Sequence, residues 1–154
     1  MSTPPKTLKR NEFGLLENPP IPYVFNEDGY VNWRKMIRPE FLVANKQRTQ
    51  ETDISKLEDK DLLILLGGIK ELAQIRGFTC VSYDVPEAGP NYVIASCYIN
   101  WIGNYETSNA DVSFQSLADA SPDNTQSFAR NYLAAIAENR AFVRCVRNFL
   151  KINI

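Results

Sequence analysis

A chain of 154 residues, 44% hydrophobic and with a formal net charge of −1, is sized for one domain with a proper core and is too apolar to be disordered. It contains no histidine, so it lacks the commonest general base and the commonest metal ligand. That lowers the case for a hydrolase triad or a zinc site, although carboxylates alone can catalyse.

The small net charge hides a segregation. Residues 1–50 hold eight Lys/Arg and five Asp/Glu, residues 51–125 hold four and twelve, and residues 126–154 hold five and one. This asymmetry points to an anionic partner at the two ends of the chain rather than over the whole surface. Cys80, Cys97 and Cys145 are odd in number and far apart, with no CxxC, which fits reduced structural thiols. No apolar run approaches the roughly 18 residues that a membrane span needs, and "MSTPPKTLKRNEFGLLENPP" has no apolar signal core. The expected location is the cytoplasm, with no membrane partner.

In chain order, residues 1–28 hold five of the nine prolines, which predicts an extended arm laid over a partner or a neighbouring subunit. Residues 29–154 form the expected core domain. Its first stretch, "GYVNWRKMIRPEFLVANKQR", mixes Tyr30, Trp33 and Phe41 with Arg34, Lys35, Arg38, Lys46 and Arg48. Pro39 should stop any helix begun at Trp33. "TQETDISK" reads as a polar linker. The spacing of "LEDKDLLILLGGIKELAQIRGF" predicts a helix over 57–76, with Glu58, Asp59 and Asp61 in its first turn and Arg76 and Gly77 at its end. An interior Gly67-Gly68 pair costs roughly 1 kcal/mol per glycine against alanine, so close approach of another backbone is expected there.

Three strands follow. "FTCVSYDV" alternates Thr79, Val81, Tyr83 and Val85 on one face, and "PEAGP" is the turn. "NYVIASCYINWI" places Val93, Ala95, Cys97, Ile99 and Trp101 on one face. After "GNYETSN", "ADVSFQSLA" is the third strand. The last element, "SFARNYLAAIAENRAFVRCVRNFLKI", is a long helix. The fold class is therefore α+β: an irregular basic N-terminal arm, then an α-β-β-β-α core whose three-stranded antiparallel sheet packs on a long C-terminal helix.

At about 100° per residue, Phe128, Tyr132, Ala135, Val143, Val146 and Leu150 share a stripe expected to face the sheet. Arg140, Arg144, Arg147 and Lys151 fall within about 60° of one another on its flank. A solvated helical face ordinarily interleaves Glu with Lys; here acids are almost absent and three of the four cations are arginine, the side chain best matched to phosphate. The plain alternative is a solvated C-terminal face favoured by the helix dipole. The polyanion reading is preferred, with Arg34, Lys35, Lys46 and Arg48 as a second basic set. Trp33, Tyr98, Trp101 and Tyr105 are either base-stacking platforms or core.

"RPEFLVANKQR" is similar to the "PEY(I/L)…R" stretch of the Rad-fifty-two family of single-strand annealing proteins, and "RCVRNF" resembles that family's "RALRSF". The α-β-β-β-α order matches as well, over roughly residues 39–150. The general look is that of a phage-type member. The resemblance implies a homo-oligomeric ring whose basic groove holds single-stranded DNA for pairing, with no cofactor and no catalytic set. It also implies a strand-coating single-stranded DNA-binding protein as a further partner. Carried over, Arg144 and Arg147 stand where the family's last helix meets the DNA backbone, and Lys46 and Arg48 lie near a basic residue that follows "PEY". Val143 stands where eukaryotic members are basic.

The absence of "GxxxxGK[ST]" fits ATP-independent pairing. Three other readings compete. A double-stranded RNA-binding module shares the element order, but this chain lacks a lysine-rich start to its last helix. A carboxylate metal nuclease would use Asp111, Asp119 and Asp123. A non-catalytic protein scaffold would need neither.

Overall fold

The computed structural model describes residues 9–154, so the "TPPK" start of the arm lies outside the described residues. The described part of the arm, residues 9–28, makes contacts with its own chain. Leu16 is buried and donates its amide to the Tyr23 hydroxyl at 2.9 Å. Arg10 Nη2 donates to the carbonyls of Gln74 and Ile75, so the arm caps the end of a helix.

Trp33–Met36 forms a single 3-10 turn, with the Asn32 side chain accepting the Lys35 amide and with Trp33 and Met36 buried. Pro39 forbids continuation, and Arg38 is extended before a second short turn at Pro39–Phe41. Strand β1, Leu42–Ala44, pairs antiparallel with β2, Leu62–Ile64, with Val43 opposite Leu63. This small sheet corrects the predicted helix over 57–76. Helix α1 is Leu66–Arg76 only. The "LLI" of the expected helix is taken by pairing with β1, which buries Leu62, and the acids fall in a separate turn at Asp59–Asp61 instead of on the helix dipole. Local propensity loses here to a tertiary strand partner. The end of α1 is as expected: Gly77 has φ +89 and donates its amide to the Ala73 carbonyl.

The glycine pair does serve close packing, but against a side chain of the same chain. A Cβ on Gly68 would stand 2.7 Å from Phe41 Cβ, and one on Gly67 would stand 3.0 Å from the Phe41 ring.

The main sheet has the order β3-β4-β5, all antiparallel: β3 is Phe78–Gly89, β4 Tyr92–Trp101 and β5 Val112–Ala120. The expected turn at 86–90 is in part strand, because a register shift between Asp84 and Glu87 absorbs Pro86 and moves the turn to Pro90-Asn91. β4 alternates as predicted, with Ala95, Cys97, Ile99 and Trp101 all buried.

The last helix begins with a 3-10 stretch, Ser127–Tyr132, and continues as α2, Leu133–Leu150, across β4 and β5. Its buried face is Ala137, Ala141, Phe142, Cys145, Val146 and Leu150. Val146 and Leu150 were expected there. Phe128, Tyr132 and Ala135 were also expected there but are exposed, Phe128 by 76% and Tyr132 by 65%. Phe128 and Tyr132 lie in the 3-10 stretch, which turns in about three residues, so a 100° phase extended back through it fails for them. Ala135 is in the first turn of α2, before its buried face begins at Ala137. Small residues at 137, 141 and 145 allow the helix to lie close on the sheet. Over Trp101, the Phe149 ring is stacked at 4.6 Å.

Candidate nucleic-acid interface

β5 is an edge strand, so its outer carbonyls have no strand partner. Arg140 Nη1 donates to the Asp119 carbonyl at 3.0 Å, and Arg144 Nη1 donates to the Leu117 carbonyl at 2.8 Å. The spacing explains the match. Four helical residues rise about 6 Å, and two strand residues rise about 6.8 Å. Arg140 also holds Asn124, through its side-chain Oδ1 at 2.8 Å and its carbonyl at 2.6 Å. Arg147 donates to the Ile154 carbonyl, and burial beside Arg144 pushes its pKa down. Lys151 caps α2 in the left-handed region, at φ +59, and is exposed.

None of these four cations is paired with an Asp or Glu side chain among the described residues. The acceptors of Arg140 and Arg144 are neutral carbonyls and one amide, whereas Arg147 meets an oxygen of the last residue, Ile154. The heads of Arg140 and Arg144 are therefore fixed in place while their charge stays uncompensated.

The second basic set reaches this row only in part, through a cavity that Arg34 and Lys35 line with Lys151. Arg34 is spent on Asp59, through Nη2 at 2.7 Å and Nε at 3.0 Å. Lys35 is exposed and lines a cavity with Arg34 and Lys151. Lys46 and Arg48 are exposed on the loop after β1, where Arg48 donates to the Lys60 carbonyl at 3.3 Å.

Of the aromatic candidates, Trp33 and Trp101 are core residues, at 4% and 0% exposure, and so are not platforms. Tyr105 donates its hydroxyl to the Gly29 carbonyl. Tyr98 is half-exposed and hydrogen-bonds Ser113. The open aromatics nearest the arginine row in sequence are Phe128 and Tyr132, which periodicity assigned to the core. Their signal was available only in "TQSFARNY", a turn-like run of polar residues. Arg76 was also missed as anything but a helix end; it is 3% exposed.

The aspartates weighed for a metal have other partners. Asp111 accepts the Gly103 amide at 2.8 Å and Asp119 accepts the Asn124 side-chain amide at 3.1 Å. Among the described residues no three His, Cys, Asp or Glu gather closely enough to hold a metal ion, and no helix is long and apolar enough to cross a membrane.

Compared with known proteins, the chain matches no family model, no curated protein and no solved structure.

Proposed function

We propose that this protein binds single-stranded DNA and promotes ATP-independent annealing of complementary strands, as a homo-oligomeric ring acting beside a strand-coating protein in recombination and repair. The observation that carries the reading is the α2 row. Arg140, Arg144, Arg147 and Lys151 stand without an Asp or Glu partner among the described residues, and Arg140 and Arg144 are held by backbone carbonyls. A rigid, uncompensated series of guanidinium groups suits the regular anions of a phosphate backbone, whose binding releases counterions. Phe128 and Tyr132, exposed just before the row, supply faces on which bases can stack.

The short resemblance to the annealing family supports the same reading through "RPEFLVANKQR" and "RCVRNF". Lys46 and Arg48 remain part of the proposed interface; Arg34, neutralised by Asp59, contributes least.

The deciding experiment is annealing of complementary oligonucleotides without nucleotide, read together with a salt-dependent gel shift and the mass of the native particle. Faster pairing by a particle larger than 17.5 kDa, with affinity falling as salt rises, is the expected result. Unaccelerated pairing overturns the reading, and binding to protein alone would return it to a scaffold.

A further inference from the structure

Away from the β5 edge, a cavity of about 560 Å³ opens between the 26–35 segment, the turn at 105–107 and the C-terminal end of α2. One wall carries Arg76, which is only 3% exposed. Its Nη1 donates to the Ile102 carbonyl at 2.5 Å, and its guanidinium carbon lies 5.5 Å from the Phe149 ring centroid. Its Nη2 is buried with no partner. A charged donor out of water and without an acceptor is costly, so such a group ordinarily has an anion against it.

The chain places no carboxylate within ion-pair distance of Arg76 among the described residues, although Glu106 and Asp111 lie near enough to favour its charged form. Glu106 lines the same cavity, but its Oε1 accepts the Val31 amide at 2.9 Å and the Tyr105 hydroxyl at 3.4 Å. Asp28 accepts the Tyr30 amide at 3.0 Å, and Asp59 is taken by Arg34. At the rim stand Lys35 and Lys151, exposed and outside any ion pair among the described residues. Three cations without ion pairs therefore face two acids already used by the loop backbone.

We propose that this cavity is a phosphate-binding site, in which Arg76 Nη2 and the ammonium groups of Lys35 and Lys151 hold the oxygens of one phosphoryl group. The three cations come from separate segments, Lys35 from the 33–36 turn, Arg76 from the end of α1 and Lys151 from the end of α2. A tetrahedral phosphate offers oxygens to several donors, whereas a carboxylate offers two in one plane. The volume leaves room for whatever the phosphate is attached to, either a small phosphate ester or the end of a strand. The site shares Lys35 and Lys151 with the proposed DNA interface but uses neither Arg140 nor Arg144, so its response to inorganic phosphate is read separately from strand binding.

The test measures the melting temperature with inorganic phosphate against chloride at matched ionic strength, and the affinity for an oligonucleotide with and without a 5′-phosphate. The test variant is the double substitution Lys35→Ala with Lys151→Asn, since asparagine tolerates the left-handed cap. Phosphate is expected to raise the melting temperature of the native chain beyond chloride, and the double variant to need about tenfold more phosphate for the same rise. Arg76→Lys, which keeps the charge and loses Nη2, should weaken the response in the same direction. A 5′-phosphate preference lost in the variant assigns the site to a strand end. A phosphate response without that preference assigns it to a small ester; both support the site. Equal responses to phosphate and chloride overturn it and leave water as the partner of Nη2. So does a double variant that responds like the native chain.

Discussion

The two edges of the main sheet are handled in opposite ways. Along β5, Arg140 and Arg144 reach from α2 and occupy the outer carbonyls of Asp119 and Leu117. Along β3 no arginine makes such a contact among the described residues; that edge is broken instead by register shifts between Phe78 and Cys80 and between Asp84 and Glu87, the second containing Pro86. Both devices discourage another strand from adding to the sheet. They differ in what they leave behind. Bulges leave an edge without cations, where the exposed acids Asp84 and Glu87 stand beside Val85, 53% exposed, and Tyr83, 43% exposed. The arginine clamps leave a row of fixed positive charge, so one set of side chains closes an edge and still presents cations to an anionic partner.

The largest expected effect comes from removing the clamps together. Arg140→Ala with Arg144→Ala deletes four hydrogen bonds to β5 and the 124 loop. At about 0.5 kcal/mol each, partly exposed, the loss of stability should be about 2 kcal/mol in denaturant unfolding. If both also touch phosphate, the slope of log affinity against log salt should fall by about 1.4, at about 0.7 per contact on a single strand. A stability loss with an unchanged slope would make the β5 row purely structural and cancel the contrast between the edges.

Phe128→Ala with Tyr132→Ala sharpens the contrast next. Both rings are exposed on the 3-10 stretch, so folding stability should move by less than about 0.5 kcal/mol. If they stack on bases, single-strand affinity should fall by about 1 kcal/mol or more per ring, with the salt slope unchanged. Equal affinity would leave them to a protein contact.

The sequence disclosed some of this geometry and withheld the rest for definite reasons. β4 was legible because one face is buried at Ala95, Cys97, Ile99 and Trp101, with Ser96 the one buried residue of the other face. The long last helix and its cations were legible because the 3.6-residue repeat holds from Leu133 onward. β2 was not legible, because "LLI" is apolar in either conformation and only its partner β1 decides. Nor was the clamp, since the spacing of Arg140 and Arg144 says nothing about which carbonyls lie across from them. Arg76 read as an ordinary helix end, because its burial depends on Phe149 and Ile102, which are distant in sequence.

The β3 edge offers a smaller test. Val85→Lys puts a charge on a strand residue that is already half in solvent, so stability should stay within about 0.5 kcal/mol. If copies of the chain meet along this edge, light scattering should show a smaller particle; an unchanged particle would place the subunit contact elsewhere.

The smallest effect is the most discriminating one. In Arg144→Lys the charge survives, and an ammonium on a shorter head can still approach the Leu117 carbonyl that Arg144 reaches at 2.8 Å. What disappears is the second terminal nitrogen, because Arg144 uses only Nη1 on the strand. If the clamp is the only duty, lysine should cost no more than a few tenths of a kcal/mol in stability and nothing in binding. If Arg144 instead clamps the strand with one nitrogen and meets a phosphate with the rest of its fork, stability should again change little. Single-strand affinity should then drop by several-fold while the salt slope, which counts charges, stays where it was. Arg144→Gln keeps a donor for the carbonyl and removes the charge, so it should lower the slope by about 0.7. Lysine and glutamine at this one position thus separate fork geometry from charge. A lysine variant that matches arginine in affinity would confine the role of Arg144 to charge and edge closure.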